Sequence, residues 1–198
     1  MGLDLDYQQG QTPLEEEEKE GLLVKSISTM QELDEFEQLN IEKAIEWTIR
    51  NRFRTDKILT EEFVKQVHRK MFGKVWKWAG DFRKTEKNIG VPWVKIGIEL
   101  RQLLDDTKYW IENKTFPDDE IAIRFKHRIV KIHCFPNGNG RHSRIIADII
   151  ISNVFKKAIF SWGFQNRLQA DEIRKNYINA LQEADNENIK PLITFARN

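Results

Sequence analysis

The stretch "KIHCFPNGNGRHSRIIADIIISNVF", Lys131 to Phe155, joins a polar, glycine-rich loop to a long apolar segment. From Arg141 onward this segment is apolar on nearly every face at helical spacing, which is typical of a helix buried on all sides. The part before it, "CFPNGNG", is predicted to be a loop between two helices. We therefore expect a fold built around one central buried helix, with a polar loop at its N-terminal end.

Helical periodicity extends over almost the whole chain. Residues 1–11 are predicted to form a loose arm, and Thr12 followed by Pro13 predicts the start of a short helix that Gly21 ends. Longer helices are predicted at about 30–53, 61–72, 98–114, 117–133 and 141–158, with two more within 170–198.

One segment breaks the helical pattern: "WAGDFRKTEKNIGVPWVKIG", residues 78–97. Its glycines, its proline and its short alternating apolar pieces predict a β-hairpin that forms a flap between helices. The chain shows no repeat and no linker-like composition. The sequence therefore predicts a single all-α domain with a small β-hairpin flap, preceded by an arm and a short helix at residues 1–32.

Composition excludes several kinds of function. The 198 residues carry 32 Lys and Arg against 31 Asp and Glu, for a formal charge of +1, so they lack the basic footprint of a nucleic-acid-binding protein. No apolar run reaches membrane-spanning length, and the acidic N-terminus is not a signal or transit peptide. The single cysteine, Cys134, rules out an internal disulfide framework. We expect a cytoplasmic protein that binds neither nucleic acid nor membranes.

The loop "CFPNGNG" and the helix after it have the features of an anion-binding site. Glycines allow a positive φ and a close approach of a ligand, and the helix N-terminus offers N–H groups and the positive end of its dipole. Arg141 and Arg144 lie one turn apart and could hold two phosphates. His133, at the end of the preceding helix, could be the general base for a hydroxyl that attacks phosphorus.

Other interpretations of these residues stay open. Gly-Asn-Gly also fits an ordinary helix–helix turn, and a histidine beside an apolar helix also fits a core residue. The loop lacks the Gly-Lys-Ser/Thr ending of a Walker loop, and a metal hydrolase using His127, His133 and His142 lacks acidic ligands at zinc spacing. His142 is expected to face solvent, and Cys134 is expected to be a buried, inert thiol.

The string "HCFPNGNGRHSR", residues 133–144, resembles the signature of the Fic (filamentation induced by cAMP) family, His-x-Phe-x-(Asp/Glu)-Gly-Asn-Gly-Arg-x-x-Arg. The upstream segment "FVKQVHRKMFGKVWKWAGDFR", residues 63–83, is similar to the same family. Together with "TPLEEEEKEGL" near the N-terminus, the motif looks most like the subgroup called mobile mystery protein B. The resemblance implies a Fic-type helical domain at 33–198, after a candidate regulatory segment at 1–32.

The resemblance implies a protein adenylyltransferase, which moves AMP from ATP to a Ser, Thr or Tyr hydroxyl of a target protein and releases pyrophosphate. His133 would take the proton of that hydroxyl while it attacks the α-phosphate. The phosphate-binding residues implied are Gly138, Asn139 and Gly140 as an anion hole, Arg141 for the β-phosphate and Arg144 for the γ-phosphate. Such a site works by positioning and electrostatics.

The same resemblance supplies candidates around the nucleotide and the target. Tyr177 in "RKNYINAL" and Trp162 are candidate walls of an adenine pocket, although Trp162 fits a plain core aromatic equally well. The flap, with Ile89, Gly90 and Val91, would dock a target segment by strand addition. A homodimer is left open.

At Asn137 the sequence departs from the family signature, which has an acid that binds Mg²⁺. Asparagine keeps a carbonyl oxygen but lacks the charge that a hard cation prefers, so binding of Mg²⁺ or Mn²⁺ through Asn137 is expected to be weak. Slow AMP transfer is the favoured outcome. The alternatives are another transfer of the Fic/DOC type, such as phosphoryl, UMP or phosphocholine transfer, and a nucleotide-binding regulatory module without catalysis.

Many members of the family carry an inhibitory helix with the pattern (Ser/Thr)-x-x-x-Glu-(Gly/Asn), whose glutamate pairs with the second motif arginine. Glu20, followed by glycine, has the ending of this pattern, with Glu16 in the Ser/Thr place. Thr12 with Glu16 and Ser28 with Glu32 have only the spacing. Each also fits a capped helix with a solvated acidic face, and Glu20 is the inhibitory candidate.

Overall fold

Two of the helices begin at threonine caps that are visible in the sequence. In the computed structural model, which describes residues 13–163 and 170–198, the Thr60 hydroxyl accepts the N–H of Phe63 at 3.2 Å and so caps the helix predicted there. Thr29 caps the long helix before it, because its hydroxyl accepts the N–H of Glu32. The predicted loose arm at 1–11 and the predicted cap Thr12 lie outside the described residues.

Nine α-helices occur in the described ranges. They are α1 (Glu16–Lys19), α2 (Met30–Arg50), α3 (Thr55–Ile58), α4 (Glu61–Phe72), α5 (Ile96–Asn113), α6 (Asp118–Ile132), α7 (Asn139–Asn153), α8 (Ala170–Asp185) and α9 (Lys190–Arg197), with a 3-10 turn at Trp93–Lys95 before α5. Eight of them confirm the helical prediction, with ends that differ by a few residues, whereas α3 was not predicted. None of the helices described is both long and apolar enough to cross a membrane.

Helix α7 is the buried centre of the molecule, as its composition predicts. Its isoleucines and Ala147 are buried, and Ile146 and Ile150 have no exposed surface at all. α6 packs along α7 and α5, while α4 and α3 contact α7 from another side. Burial on several faces places the N-terminal tip of α7 deep in the fold, where it can form the floor of a site.

The predicted β-hairpin flap is wrong, because no strand occurs in residues 13–163 or 170–198. An isolated bridge between Leu22 and Trp76 is recorded, but it lies outside the flap. The physical reason is the guanidinium of Arg83, which donates to the carbonyls of Thr85 (2.8 Å) and Val91. Carbonyls that would pair across a hairpin are instead bound to one side chain, so residues 83–92 form an irregular flap.

The short N-terminal helix is fastened to this flap. Glu18, half-way along α1, is buried and lies 2.5 Å from Lys87 Nζ, and its other oxygen accepts the hydroxyl of Thr85 at 3.0 Å. The indole N–H of Trp78 donates to the carbonyl of Glu18 at 2.9 Å. The segment around α1 therefore supports the flap from outside.

Candidate phosphate-binding site

The motif loop is fixed at both ends by left-handed residues. His133, the C-cap of α6, has φ 57°, and Gly138, the N-cap of α7, has φ 77°. Between them, the side-chain amide of Asn139 accepts the N–H of Phe135 at 2.9 Å and donates to its carbonyl at 2.7 Å. The side chain of Asn139 therefore closes the loop, and only its backbone is available to an anion hole.

The two glycines at the tip of α7 have different surroundings. A Cβ added at Gly138 would lie 2.5 Å from the ring of Phe72, so this position tolerates no side chain. A Cβ added at Gly140 would meet nothing within 4 Å. Open space therefore lies in front of Gly140 at a helix N-terminus, which is the environment that binds phosphate groups in proteins.

His133 lies at the other end of the loop and is 4% exposed. Its carbonyl accepts the Nε–H of Arg83 at 2.6 Å, and a Cβ added at Gly90 of the flap would come within 2.7 Å of its Cβ. Burial, together with the nearby charge of Arg83, lowers the pKa of His133 to about 4. The imidazole is neutral at pH 7, which is the form that a general base requires.

A second histidine, His68 of α4, supports the loop. Its Nδ1 accepts the N–H of Gly80 at 3.0 Å, so the proton is on Nε2, which donates to the carbonyl of Asn137 at 3.0 Å. The ring stacks on Phe135 with centroids 3.7 Å apart. Its place in the upstream family segment was the signal available for this role.

Arg141 and Arg144 occupy different electrostatic surroundings. Arg141 Nη1 lies 2.7 Å from a buried carboxylate oxygen of Glu37 on α2, and its guanidinium lies over the ring of Phe72. Arg144 has no carboxylate within ion-pair distance among the described residues, and its Cζ lies 5.7 Å from the ring centroid of Tyr177. Arg144 is therefore the motif arginine with the more available charge.

The two candidate adenine-pocket residues have different surroundings, and only Tyr177 lies against Arg144. Tyr177 is hydrogen-bonded through its hydroxyl to Nζ of the buried Lys126 and packs on Phe195. Trp162 is nearly buried, and its indole N–H donates to both oxygens of Asp148, at 3.0 and 3.2 Å. Trp162 thus has the contacts of a core aromatic. Both assignments to adenine stay predictions.

Asn137 has a poor donor set for a divalent metal. Its Oδ1 accepts the N–H of Gly138, and Gly138 follows it in the chain. Within the described ranges, no group of three or more His, Cys, Asp or Glu side chains could hold a metal ion. The residues of this loop do not fit a tightly held Mg²⁺ or Mn²⁺, since these ions favour carboxylate oxygens.

The candidate inhibitory glutamates are placed away from the second motif arginine. Glu20 is exposed at the C-cap of α1, and no contact with Arg144 is found in the part of the chain described. Glu32 caps α2 by accepting the N–H groups of Ser28 and Thr29, and Glu16 pairs with a lysine of its own helix. The glutamate that does reach the motif is Glu37, which pairs with the first motif arginine instead.

Three further predictions concern single side chains. The expected solvent exposure of His142 is wrong: it is 1% exposed, and its Nε2–H donates to the carbonyl of Val64 at 2.9 Å. Cys134 is buried as expected, and burial raises the pKa of its thiol to about 12. His127 binds Asp185 at 3.0 Å and contributes nothing to the motif loop.

Comparison with known proteins agrees with this architecture. Residues 58–151 match the model of the family described as the Fic/DOC family. The matched segment begins at the last residue of α3, extends into α7 and includes the whole motif loop. The boundary at residue 33 and the subgroup suggested by the N-terminus stay predictions.

Curated proteins named protein adenylyltransferase Fic are similar to this chain at low identity. Protein adenylyltransferase Fic of Aedes aegypti is 23% identical over 163 residues, which cover 80% of this chain and 31% of that protein. The protein of the same name from Nematostella vectensis is 22% identical, over 82% of this chain and 37% of that protein. The chain thus spans about a third of the length of the curated relatives that it matches.

Solved structures share the fold. BepC, a VirB-translocated effector of Bartonella tribocorum with bound AMPPNP, superposes with a TM-score of 0.67 at 18% identity, covering 88% of this chain and 89% of BepC. The N-terminal Fic domain of Bep8 from Bartonella sp. 1-1C gives 0.66 at 14% identity, over 88% of this chain and 89% of that domain. At such identities the likeness concerns the fold alone.

Proposed function

We propose that this protein transfers AMP from ATP to the hydroxyl group of a Ser, Thr or Tyr side chain of a target protein. The observation that carries the proposal is the pairing, across one short loop, of a neutral buried imidazole with an arginine-bearing helix tip. His133 supplies the base, and Gly140 leaves room for an anion at the N-terminus of α7. The curated names of the relatives support the same transfer.

In this mechanism the chain positions the reactants and stabilises charge. Neutral His133 accepts the proton of the target hydroxyl while its oxygen attacks the α-phosphorus and the bond to pyrophosphate breaks. The backbone N–H groups of Gly138 to Gly140 receive developing charge on the phosphate, Arg141 holds the β-phosphate side and Arg144 the γ-phosphate. No step is assigned to a metal ion, because Asn137 is a poor ligand for one.

The flap would present the target. Backbone of Gly90 lies against His133, and the guanidinium of Arg83 connects the flap carbonyl of Val91 to the carbonyl of His133. A target segment laid along Ile89 to Val91 would bring its hydroxyl to the imidazole. A cytoplasmic location fits the proposal, because ATP and a reduced Cys134 both belong to that compartment.

The test identifies which phosphate group of ATP is transferred to protein. The purified chain is incubated, alone and with a protein lysate, with ATP labelled either at the α- or at the γ-phosphate, with Mg²⁺ or Mn²⁺ present. Label on protein from the α-position only, lost in His133→Ala and kept in the matched variant His127→Ala, is expected. Label from the γ-position only would indicate a kinase, and tight ATP binding without any label would indicate a regulatory module; either result overturns the proposal.

A further inference from the structure

Lys126 of α6 is a buried cation for which the proposed transfer has no role. It has no exposed surface, its Nζ is hydrogen-bonded to the hydroxyl of Tyr177 on α8, and Nζ lies 4.3 Å from the centroid of that ring. No carboxylate lies within ion-pair distance of Lys126 among residues 13–163 and 172–198, the residues whose side chains the structure describes. Burying an ammonium group with only a neutral partner is unfavourable in free energy. At this position the charge must therefore be balanced by an anion, or the amine must lose its proton.

A second cation shares the same aromatic ring. The guanidinium of Arg144 lies over Tyr177 and has no ion-pair partner among the described side chains. Burial and the charge of Arg144 hold the pKa of Lys126 well below its usual range, so its amine readily loses the proton. Burial raises the pKa of Tyr177 to about 12, which keeps the phenol protonated and able to donate to a neutral amine.

We propose that Lys126 is a third cation of the phosphate site, charged by proton uptake when a polyphosphate binds at Arg144. The inference rests on the proposed function in one respect, namely that a nucleoside triphosphate occupies this site. Before binding, the phenol of Tyr177 donates to the neutral Nζ. A proton from solvent then converts Nζ to an ammonium group that donates to the phenol oxygen.

The electrostatic reason is the low polarity of the surroundings. Charges separated by protein interior rather than water interact strongly over several ångströms, so a phosphate chain at Arg144 offsets the cost of charging Lys126. The added charge acts in a site where Asn137 provides no carboxylate for a metal ion. Lys126 therefore supplies positive charge from within the protein, through the field rather than by contact.

Other groups near Lys126 titrate in different ranges. The groups that the structure links to Lys126, directly or through Arg144 and Asp148, are His127 on α6, Arg144 and Asp148 on α7, Tyr177 on α8 and Arg197 on α9. The arginines stay charged, the phenol stays protonated, and burial raises the pKa of Asp148 only to about 7. The pKa of His127 is lowered, mainly by burial. Proton uptake in the alkaline range thus points to Lys126.

Calorimetry of nucleotide binding tests the inference. The full chain is titrated with ATP, without target protein, at about pH 8 to 9 in buffers of different ionisation enthalpy, a range where the phosphate groups of ATP no longer titrate. We expect uptake of about 0.3 to 1 proton per nucleotide. The substitution Lys126→Met should abolish this proton uptake and weaken nucleotide binding about 10-fold. The matched variant Lys131→Met removes an exposed lysine of α6 and should keep both.

The outcomes of this experiment distinguish failure of this inference from failure of the proposed function. Nucleotide binding to the wild-type chain without proton uptake, or with uptake that persists in Lys126→Met, overturns this inference and leaves the proposed function intact. Absence of any nucleotide binding overturns both. If Lys126→Met does not fold, Asp148→Asn takes its place: uptake retained at about pH 9 in that variant supports Lys126, and uptake lost there assigns the proton to Asp148 and overturns the inference.

Discussion

Arg141 donates to a carboxylate that the fold has buried: its Nη1 lies 2.7 Å from Oε2 of Glu37, a side chain that is 5% exposed. The other carboxylate oxygen of Glu37 accepts the indole N–H of Trp76 at 2.6 Å. Part of the charge of Arg141 is therefore offset within the protein itself, and α2 is connected to the motif through one side chain.

Removing this charge should favour nucleotide binding. Glu37→Gln keeps an oxygen for Trp76 but no longer neutralises Arg141, so we expect ATP affinity to rise about 3- to 10-fold, as measured by calorimetry. The free energy of unfolding should fall by about 1–2 kcal/mol, because a largely buried ion pair is lost. Glu46→Gln, which removes an exposed ion pair with Arg50 on the same helix, should change neither quantity. Weaker ATP binding in Glu37→Gln would show that Glu37 orients Arg141 productively.

The pH dependence of AMP transfer should reveal the buried imidazole. Because burial and Arg83 lower the pKa of His133 to about 4, the base stays neutral, and the labelling rate should stay level from about pH 8 down to about pH 5. A histidine with an ordinary pKa would lose half of its activity near about pH 6.5. Rates are measured in overlapping buffers, with circular dichroism at each pH to confirm folding. An acid midpoint near 6.5 would contradict the assignment.

A carboxylate at the loop should create a metal requirement. Asn137→Asp restores an acidic oxygen ligand, so we expect AMP transfer to rise about 5-fold or more in the presence of Mg²⁺ or Mn²⁺ and to become sensitive to chelators. The wild-type rate should respond weakly to both. Asn186→Asp adds the same charge on an exposed turn after α8 and serves as the control. Equal rates in all three proteins would show that metal charge does not limit the reaction.

Alanine substitutions at the two glycines of the α7 tip should have different effects, one on stability and the other on nucleotide binding. Gly138→Ala places a methyl group 2.5 Å from Phe72 at a φ of 77°, and should lower the free energy of unfolding by about 2 kcal/mol or more. Gly140→Ala meets no neighbour and lies within the helix, so stability should stay equal or rise slightly. Nucleotide affinity should nevertheless fall in Gly140→Ala, because the methyl group fills the space of the anion. Unchanged affinity would place the phosphates elsewhere.

Asp148 should make the fold less stable as the pH rises. Burial raises its pKa to about 7 against the hydrogen bonds from Trp162 and Phe160, whereas in the unfolded chain the carboxyl ionises near its usual value. The folded state therefore holds a proton that the unfolded state releases, and this contribution to stability is lost between about pH 4 and about pH 7. Asp148→Asn should gain stability over wild type at pH 8, by at most about 4 kcal/mol in urea unfolding. An identical pH slope in both proteins would contradict the shift.

Much of the fold was predictable because it is encoded locally. Thr29 and Thr60 cap the helices that follow them, and the apolar run of α7 required burial on several faces. The flap was not predictable in the same way. Its alternating pieces favour a hairpin, but Arg83 binds the carbonyls that a hairpin would need, and that contact depends on tertiary structure.

The same division applies to the site. The motif loop lies in one continuous stretch, so its helix tip, its left-handed glycine and its arginines could be placed from sequence. Three side chains from other helices act on this site: Glu37 of α2, His68 of α4 and Lys126 of α6. For His68 the only signal was its place in the upstream family segment, and the local sequence around Glu37 and Lys126 gives no indication of their roles. His142 is the clearest failure of prediction from sequence. Its position in the first turn of α7 suggested solvent exposure, whereas its ring is hydrogen-bonded to a carbonyl of α4.

One guanidinium group, that of Arg83, holds the main chain of the flap in shape. The side chain of Lys87 is bound by Glu18, whereas those of Asn88 and Ile89 are exposed. In the proposed mechanism, exchange of these two side chains would alter which polypeptide is presented to His133 and would leave the motif loop unchanged. Recognition of the target would then be free to vary, while Arg83 and Lys87 keep the shape of the flap.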